Sequence, residues 1–450
     1  MKKKPDFVAT TNACKLCRPL GAAIAFRGIE GCVPFLHGSQ GCATYMRRYI
    51  ISHFNEPIDI ASSSLGEKNA VYGGGPNLKL GLKNVTSKYQ PQVIGVATTC
   101  LTETIGDDVP MLLAEYQKET TTGARPILVH VNTPSYAGSH MEGFHGAVRA
   151  IIEQLAEKSP ANDSINLLGG FISAADLRHL HEICAAFAVH VTLLPDYGDT
   201  LDGPALDDYP LIPAGGTPLA AIRAMGGARA TIELGATLPE ISAGTILRDR
   251  HGVALHRISL PIGIRASDAF VGLLSELTGR PTPASLTAAR GRLVDSLVDG
   301  HKYVFGQKAV LYGEEDLVVG LAAFLAEIGI VPVLCASGGK SGRMAEAIAT
   351  ALGDLPCPAP EVREDVDFHD IEQLAEELGC QLVVGHSKGY TLARRLGIPL
   401  IRVGFPIHDR LGGQRILHLG YEGAQRLFDT IINTLIERRQ DSSPVGYSYM

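Results

Sequence analysis

The sequence predicts an α/β fold of three Rossmann-like domains, with mostly parallel sheets flanked by helices, and three observations carry that reading. Short all-apolar runs alternate with helical runs along most of the chain, the rhythm of doubly wound parallel sheets. The chain has 450 residues, more than one ordinary core organises. Its 50 glycines supply many tight strand-to-helix turns. We place the domains at residues 1–160, 161–300 and 301–450.

In the first domain, Val33–Leu36 reads as a short apolar strand running into His37-Gly38-Ser39-Gln40-Gly41-Cys42, followed by a helix from Ala43 onward. Tyr72-Gly73-Gly74-Gly75-Pro76 reads as a plain loop before a helix bearing Leu78, Leu82 and Val85; a P-loop would need a terminal Lys-Ser/Thr. Val93–Ala97 is a buried strand ending in Thr98-Thr99-Cys100, and 126–131 another ending in Asn132-Thr133-Pro134-Ser135. A helix over 141–156 closes the domain. Beyond it come a strand at 165–168, a helix at 174–187 and a strand at 189–194. A helix then starts at Thr217-Pro218, where threonine suits the cap and proline the first turn. Helices over 267–304 bridge to the third domain, with strands at 308–313, 332–335, 381–386 and 399–403 and a final helix over 422–438. No domain carries the full Gly-x-Gly-x-x-Gly fingerprint, so nicotinamide or flavin binding is not supported.

Composition narrows the function classes. Net charge is −7 and no basic run follows Lys2-Lys3-Lys4, which argues against a nucleic-acid partner. No apolar run approaches the ~20 residues that span a bilayer, so no membrane partner is expected. The three lysines meet Pro5-Asp6 instead of an apolar core, so no signal peptide is read and a cytoplasmic location is expected. In that reducing setting the nine cysteines are expected to be metal ligands or buried thiols, not disulfides.

Cys17, Cys42 and Cys100 each lie at a turn or strand end of the first domain. Positions past the carboxyl ends of parallel strands line the crevice of such sheets, and amides at a helix start favour the thiolate, the form that binds iron or zinc. Three thiolates are one short of the usual four for an iron–sulfur cluster. A second chain, a hydroxyl or a cluster shared at a subunit interface would meet the deficit. A buried free cysteine after a turn is the plain alternative for Cys42. Cys14 with Cys17 forms a lone Cys-x-x-Cys pair, and Cys32, Cys184, Cys335, Cys357 and Cys380 read as structural. Asp107 and Asp108 read as caps of the next helix, and Asp409 with Arg410 as a structural pair at a strand end.

Several stretches together resemble the β side of the nitrogenase component 1 family. They are Cys-Arg-Pro-Leu-Gly-Ala (17–22), His-Gly-Ser-Gln-Gly-Cys (37–42), Thr-Thr-Cys-Leu-Thr-Glu-Thr-Ile-Gly-Asp-Asp (98–108), Asn-Thr-Pro-Ser-Tyr-Ala-Gly-Ser-His (132–140), Leu-Pro-Ile-Gly-Ile-Arg-Ala-Ser-Asp (260–268), Gly-Arg-Leu-Val-Asp (291–295) and Gly-Phe-Pro-Ile-His-Asp-Arg (404–410). The pattern is most similar to the NifN branch, a cofactor-assembly scaffold: the catalytic β chain resembles this one with a long amino-terminal extension added, and tends to have histidines where Arg410-Leu-Gly-Gly-Gln414-Arg415 stands. The resemblance implies assembly in place of catalysis. Its partners would be a NifE-like subunit in an α2β2 heterotetramer, NifB as donor of a precursor, and the nitrogenase Fe protein. Its cofactor would be a four-iron–four-sulfur cluster shared with the NifE-like subunit and ligated by Cys42, with a transient precursor of the iron–molybdenum cofactor in the complex. Cys17, Cys100 and Ser135 match the β-chain half of a P-cluster site, which marks the catalytic molybdenum–iron protein β chain as the alternative. His37 would hydrogen-bond a cluster sulfide; a turn histidine bonded to backbone is the competing reading.

Overall fold

The computed structural model describes residues 12–119 and 125–445, so the reading of Lys2–Lys4 and Pro5-Asp6 falls outside the described residues. Three all-parallel sheets follow one another along the chain. The first comprises β1 (Cys32–His37), β2 (Ala61–Ser62), β3 (Val93–Thr98) and β4 (Ile127–Val131) in the order β2-β1-β3-β4. The second has β5 (Ile165–Leu168), β6 (Val191–Leu194), β7 (Ala230–Leu234) and β8 (Ala254–Ile258) in the order β6-β5-β7-β8. The third has β9 (Lys308–Tyr312), β10 (Val331–Ala336), β11 (Glu361–Arg363), β12 (Leu382–Gly385) and β13 (Leu400–Arg402) in the order β11-β10-β9-β12-β13. Every residue of β1 and β3 is buried, as expected for parallel strands covered by helices on both faces.

One apolar core runs through all three units, joined by α1 (Arg18–Arg27), the helix His140–Leu155 and the helix Glu315–Glu327. The helices Gly263–Thr278 and Ala284–Val304 lie between the second and third sheets in sequence and pack with the last helix, Gly420–Ser442. No helix among the described residues is long and apolar enough to cross a membrane.

Two local readings change. Thr217 does not cap the helix after it: that helix is Leu219–Ala224, with Pro218 in the capping position. The Thr217 hydroxyl instead donates to Leu193 O at 2.5 Å and accepts from the Asp196 amide at 3.2 Å, which ties the loop to the end of β6. Strand β8 escapes the sequence pattern because it is a partly exposed edge strand carrying His256 and Arg257, and β7 because it carries a buried carboxylate, Glu233. Its oxygens are satisfied by Arg257 Nε at 2.8 Å, the Ser242 hydroxyl at 2.7 Å and the Gly244 amide at 2.9 Å, and that partnership offsets the cost of burial.

The helix α2 (Gln40–Phe54) carries Cys42 near its start and His53 near its end. His53 is buried, and its Nδ1 accepts the Ile407 amide proton at 2.9 Å, pinning α2 to the loop after β13. Burial holds this imidazole down to about 3. An unfolded histidine takes up its proton near 6.5, so between those values the unfolded chain binds the extra proton and stability is lost as pH falls. His53→Gln offers Ile407 an acceptor that does not titrate. Its unfolding free energy, from urea melts between pH 6.5 and 5, should fall less steeply than that of the wild type, by on the order of 1.4 kcal/mol per pH unit. Parallel slopes would contradict this role.

Candidate functional site

Because β1, β3 and β4 are parallel neighbours, their carboxyl ends open side by side, with His37 level with Thr98 and Ala97 level with Val131. The turn after β1 delivers Cys42 in the first turn of α2. The turn after β3 delivers Cys100 as the first residue of the helix Cys100–Ile105. The segment after β4 delivers Ser135 at the start of a short 3-10 turn, Ser135–Ala137. Gly38 lets the first two turns meet, since a Cβ there would lie 2.2 Å from Thr99 Oγ1. The Thr102 hydroxyl fastens them, donating to His37 O and accepting from the Thr99 amide, both at 3.0 Å.

Cys17 arrives from another direction as the residue capping α1. Helix α1 lies against the helix His140–Leu155 with almost no separation. A Cβ on Gly21 would stand 1.7 Å from His140 O, and one on Gly143 1.9 Å from Arg18 O. Backbone bonds lock the same junction: Leu16 N donates to His140 Nδ1 at 3.3 Å, and His140 N donates to Leu16 O at 3.0 Å.

Ser135 joins the pieces. Its amide donates to Cys100 Sγ at 3.1 Å, and its hydroxyl oxygen accepts from the amide of Arg18, the residue after Cys17, at 3.2 Å. The Ser39 hydroxyl donates to Cys42 Sγ at 3.4 Å. All three thiols are half-buried. Burial pushes the Cys17 thiol up; the nearby Ser135 hydroxyl opposes that, the Cys100 and Cys42 sulfurs add to it, and the Lys388 charge opposes it. The structure thus brings Cys17, Cys42, Cys100 and Ser135 to one edge of the first sheet.

The other cysteines are of a different kind. Cys14 is buried with its sulfur 3.9 Å from His386 Nε2, and burial pushes its thiol up to about 12. It faces the core beneath the third sheet, so the Cys-x-x-Cys pair is divided between two environments. Cys32 and Cys184 are also buried and raised to about 12. Cys335 is buried too, whereas Cys357 and Cys380 are partly exposed.

His37 is placed differently from either reading of the sequence. It is fully buried, with Nδ1 2.8 Å from the Ser63 hydroxyl and Nε2 3.1 Å from Asp107 Oδ2. Both ring nitrogens are therefore taken, and neither is left for a sulfide or a backbone group. Burial lowers its affinity for a proton despite the Asp107 charge. Asp107 is accordingly not a helix cap: its carboxylate bonds His37 and accepts the Gly74 amide, which fixes the glycine-rich segment. Asp108 does cap, accepting the Met111 amide at 3.0 Å. Asp409 pairs chiefly with Arg402, at 2.6 Å, and more loosely with Arg410, at 3.8 Å. Lys388 was not foreseen. It enters from the third sheet's side, donates to Ala13 O at 2.9 Å, and lies 5.8 Å from the Tyr49 ring centre.

Among the described residues, no three His, Cys, Asp or Glu side chains are arranged to hold a single metal ion. Three soft thiols around one opening would suit an iron–sulfur cluster, which Cys17, Cys42 and Cys100 would help to ligate. A profile of the family described as nitrogenase component 1 type oxidoreductase matches residues 17–436.

The chain belongs to the nitrogenase component 1 family.

Among curated relatives, the nitrogenase molybdenum-iron protein beta chain of Clostridium pasteurianum is 36% identical over 95% of this chain and 93% of its own length. The corresponding beta chain of Methanococcus maripaludis is 35% identical over 97% of this chain and 96% of its own. The nitrogenase vanadium-iron protein beta chain of Trichormus variabilis is 34% identical over 96% of this chain and 95% of its own. The solved structure of nitrogenase Cp1 at pH 6.5 superposes with a TM-score of 0.96 at 33% identity, covering 100% of this chain and 98% of that one. These spans remove one argument for the NifN branch. The Clostridium beta chain is matched over 93% of its length, so a long unmatched extension is not a feature of every molybdenum-iron protein beta chain.

Gly143→Ala tests how the site is held. It should cost about 1–3 kcal/mol through forced separation of α1 and its neighbour, read as a lowered melting temperature together with reduced iron content. An unchanged melting temperature and iron content would contradict the glycine contact as the device that positions Cys17.

Proposed function

We propose that this chain is the β-type subunit of a nitrogenase component 1 complex, and that Cys17, Cys42 and Cys100 hold its share of an iron–sulfur cluster at the contact with an α-type partner. The observation that carries the reading is Ser135, whose amide donates to Cys100 Sγ and whose hydroxyl takes the Arg18 amide next to Cys17, beside Cys42 at adjacent strand ends. A bound cluster supplies one-electron transfer. The chain's own part is to ligate it, to exclude water by half-burying the sulfurs, and to tune it. The Ser135 amide pointing at Cys100 Sγ withdraws electron density from that sulfur, and hydrogen bonds to ligand sulfurs raise a cluster's potential. Lys388 places a positive charge within reach of Cys17.

Of the two roles open to such a subunit, the catalytic β chain is the better supported. The cysteine set with its serine is complete, and the named relatives are molybdenum-iron and vanadium-iron beta chains. The complex would be an α2β2 heterotetramer in the cytoplasm, receiving electrons from the nitrogenase Fe protein. The second role, a NifN-type scaffold paired with a NifE-like subunit and fed by NifB, rests on Gln414. This residue is buried, donating to Phe54 O at 2.8 Å and Asp202 Oδ1 at 3.2 Å, in the stretch where catalytic chains resemble this one but with histidines.

Anaerobic purification with the co-purifying subunit separates the roles. About eight irons per subunit interface, with acetylene reduction when Fe protein is added, is the expected result. About four irons and no reduction would favour the scaffold. An iron-free complex, or iron unaffected by Cys42→Ala, would overturn the cluster reading itself.

A further inference from the structure

A cavity of about 180 Å³ lies where the three units meet, apart from the thiols. Its wall is built from all three: Arg18 on α1, Glu142, His145 and Arg149 on the helix His140–Leu155, the loop after β7, and Glu315 and Arg343 beside the third sheet. Three guanidinium groups around one space of this size are more cationic donors than the protein satisfies. Arg18 Nε is buried with no hydrogen-bond partner, and Arg149 enters no ion pair within the described chain. Arg343 is held in place through Nε and Nη2, which donate to Thr237 O at 3.0 and 2.8 Å.

The acids on the same wall are already committed or muted. Glu142 accepts from the Ser139 amide at 2.8 Å. Glu315 is 2% exposed; one of its oxygens accepts from the Ser341 amide at 3.1 Å, while Oε2 has no partner. Burial pushes the Glu315 carboxyl up to about 7, so near neutral pH it is partly protonated and can donate to an anion's oxygen.

We propose that this junction binds a small dicarboxylate, with Arg18 and Arg149 receiving one carboxylate and Arg343 with the free edge of Glu315 receiving the other. Guanidinium forks match carboxylates in geometry and remain charged at any working pH. A compact tetrahedral anion engages one end only, because the cavity of about 180 Å³ has room for several waters at about 30 Å³ each and its guanidinium groups stand on separate units. Donors on the first and third units favour a ligand with two charged ends. Occupied in this way, the junction is stitched together by the ligand, and binding stabilises the arrangement of the three units.

The test is calorimetric titration of the purified full chain, with any co-purifying subunit, using succinate and inorganic phosphate at constant ionic strength. One succinate per chain with a millimolar or tighter Kd is expected, with phosphate at least tenfold weaker. Arg149→Ala, at an exposed position, should weaken succinate at least tenfold while its melting temperature without ligand stays that of the wild type. Arg149→Lys, which keeps the charge but loses the fork, should recover part of that loss. Absence of saturable succinate binding, equal affinity in Arg149→Ala, or phosphate binding as tightly as succinate would overturn the proposal.

Discussion

The closeness of α1 to the helix His140–Leu155 is the constraint on which the rest of the site depends. Two glycines, Gly21 and Gly143, leave room for one backbone to lie on the other, with Cβ positions that would fall within 2 Å of a carbonyl oxygen at 1.7 and 1.9 Å. Cys17 sits at the end of α1 that this contact fixes, and Ser135 precedes the start of the other helix. The approach therefore sets the distance from Cys17 to the strand ends that carry Cys42 and Cys100. His140 extends the constraint outward, with Nδ1 accepting from Leu16 and Nε2 3.0 Å from Glu314 Oε1, so the third unit is braced against the same helix start.

Burial then sorts the thiols. Those sunk in apolar surroundings, Cys14, Cys32 and Cys184, are driven so far toward the neutral form that they are inert at neutral pH. Cys17, Cys42 and Cys100 stay half-exposed, with serines beside them: Ser135 bonds Cys100 Sγ and the amide after Cys17, and Ser39 bonds Cys42. Serine is small and polar, so it supplies hydrogen bonds to sulfur without filling the opening. The buried histidine His37 belongs to the scaffold behind this edge. Held between Ser63 and Asp107, it fixes the glycine-rich segment through Asp107 and leaves the opening to the thiols.

Much of this was legible in the sequence, for a physical reason. Strands buried on both faces are written as largely apolar runs, so β1, β3 and β9 stand out, and cysteines just after two of them mark a crevice. The illegible parts are those where a tertiary partner overrides the local pattern. Glu233 breaks the apolar run of β7, and only Arg257 and Ser242 make that tolerable. Thr217 looks like a cap but bonds β6. Asp107 looks like a cap beside Asp108 but is claimed by His37 and Gly74. Lys388 reaches the site from a distant part of the chain, and no local feature announces it. The choice between catalytic β chain and NifN-type scaffold is of this kind too, since both roles are expected on the same fold.

The central claim is that three sulfurs from separated parts of the chain act as one ligand set at a common opening. Differential alkylation measures that directly: label the complex with iodoacetamide before and after removal of iron, then map the modified cysteines by mass spectrometry. The account predicts that Cys17, Cys42 and Cys100 are protected together when iron is bound and modified together once it is removed, with Cys14, Cys32 and Cys184 unmodified in both states. Labelling of any one of the three in the iron-loaded complex while the other two stay protected would contradict it.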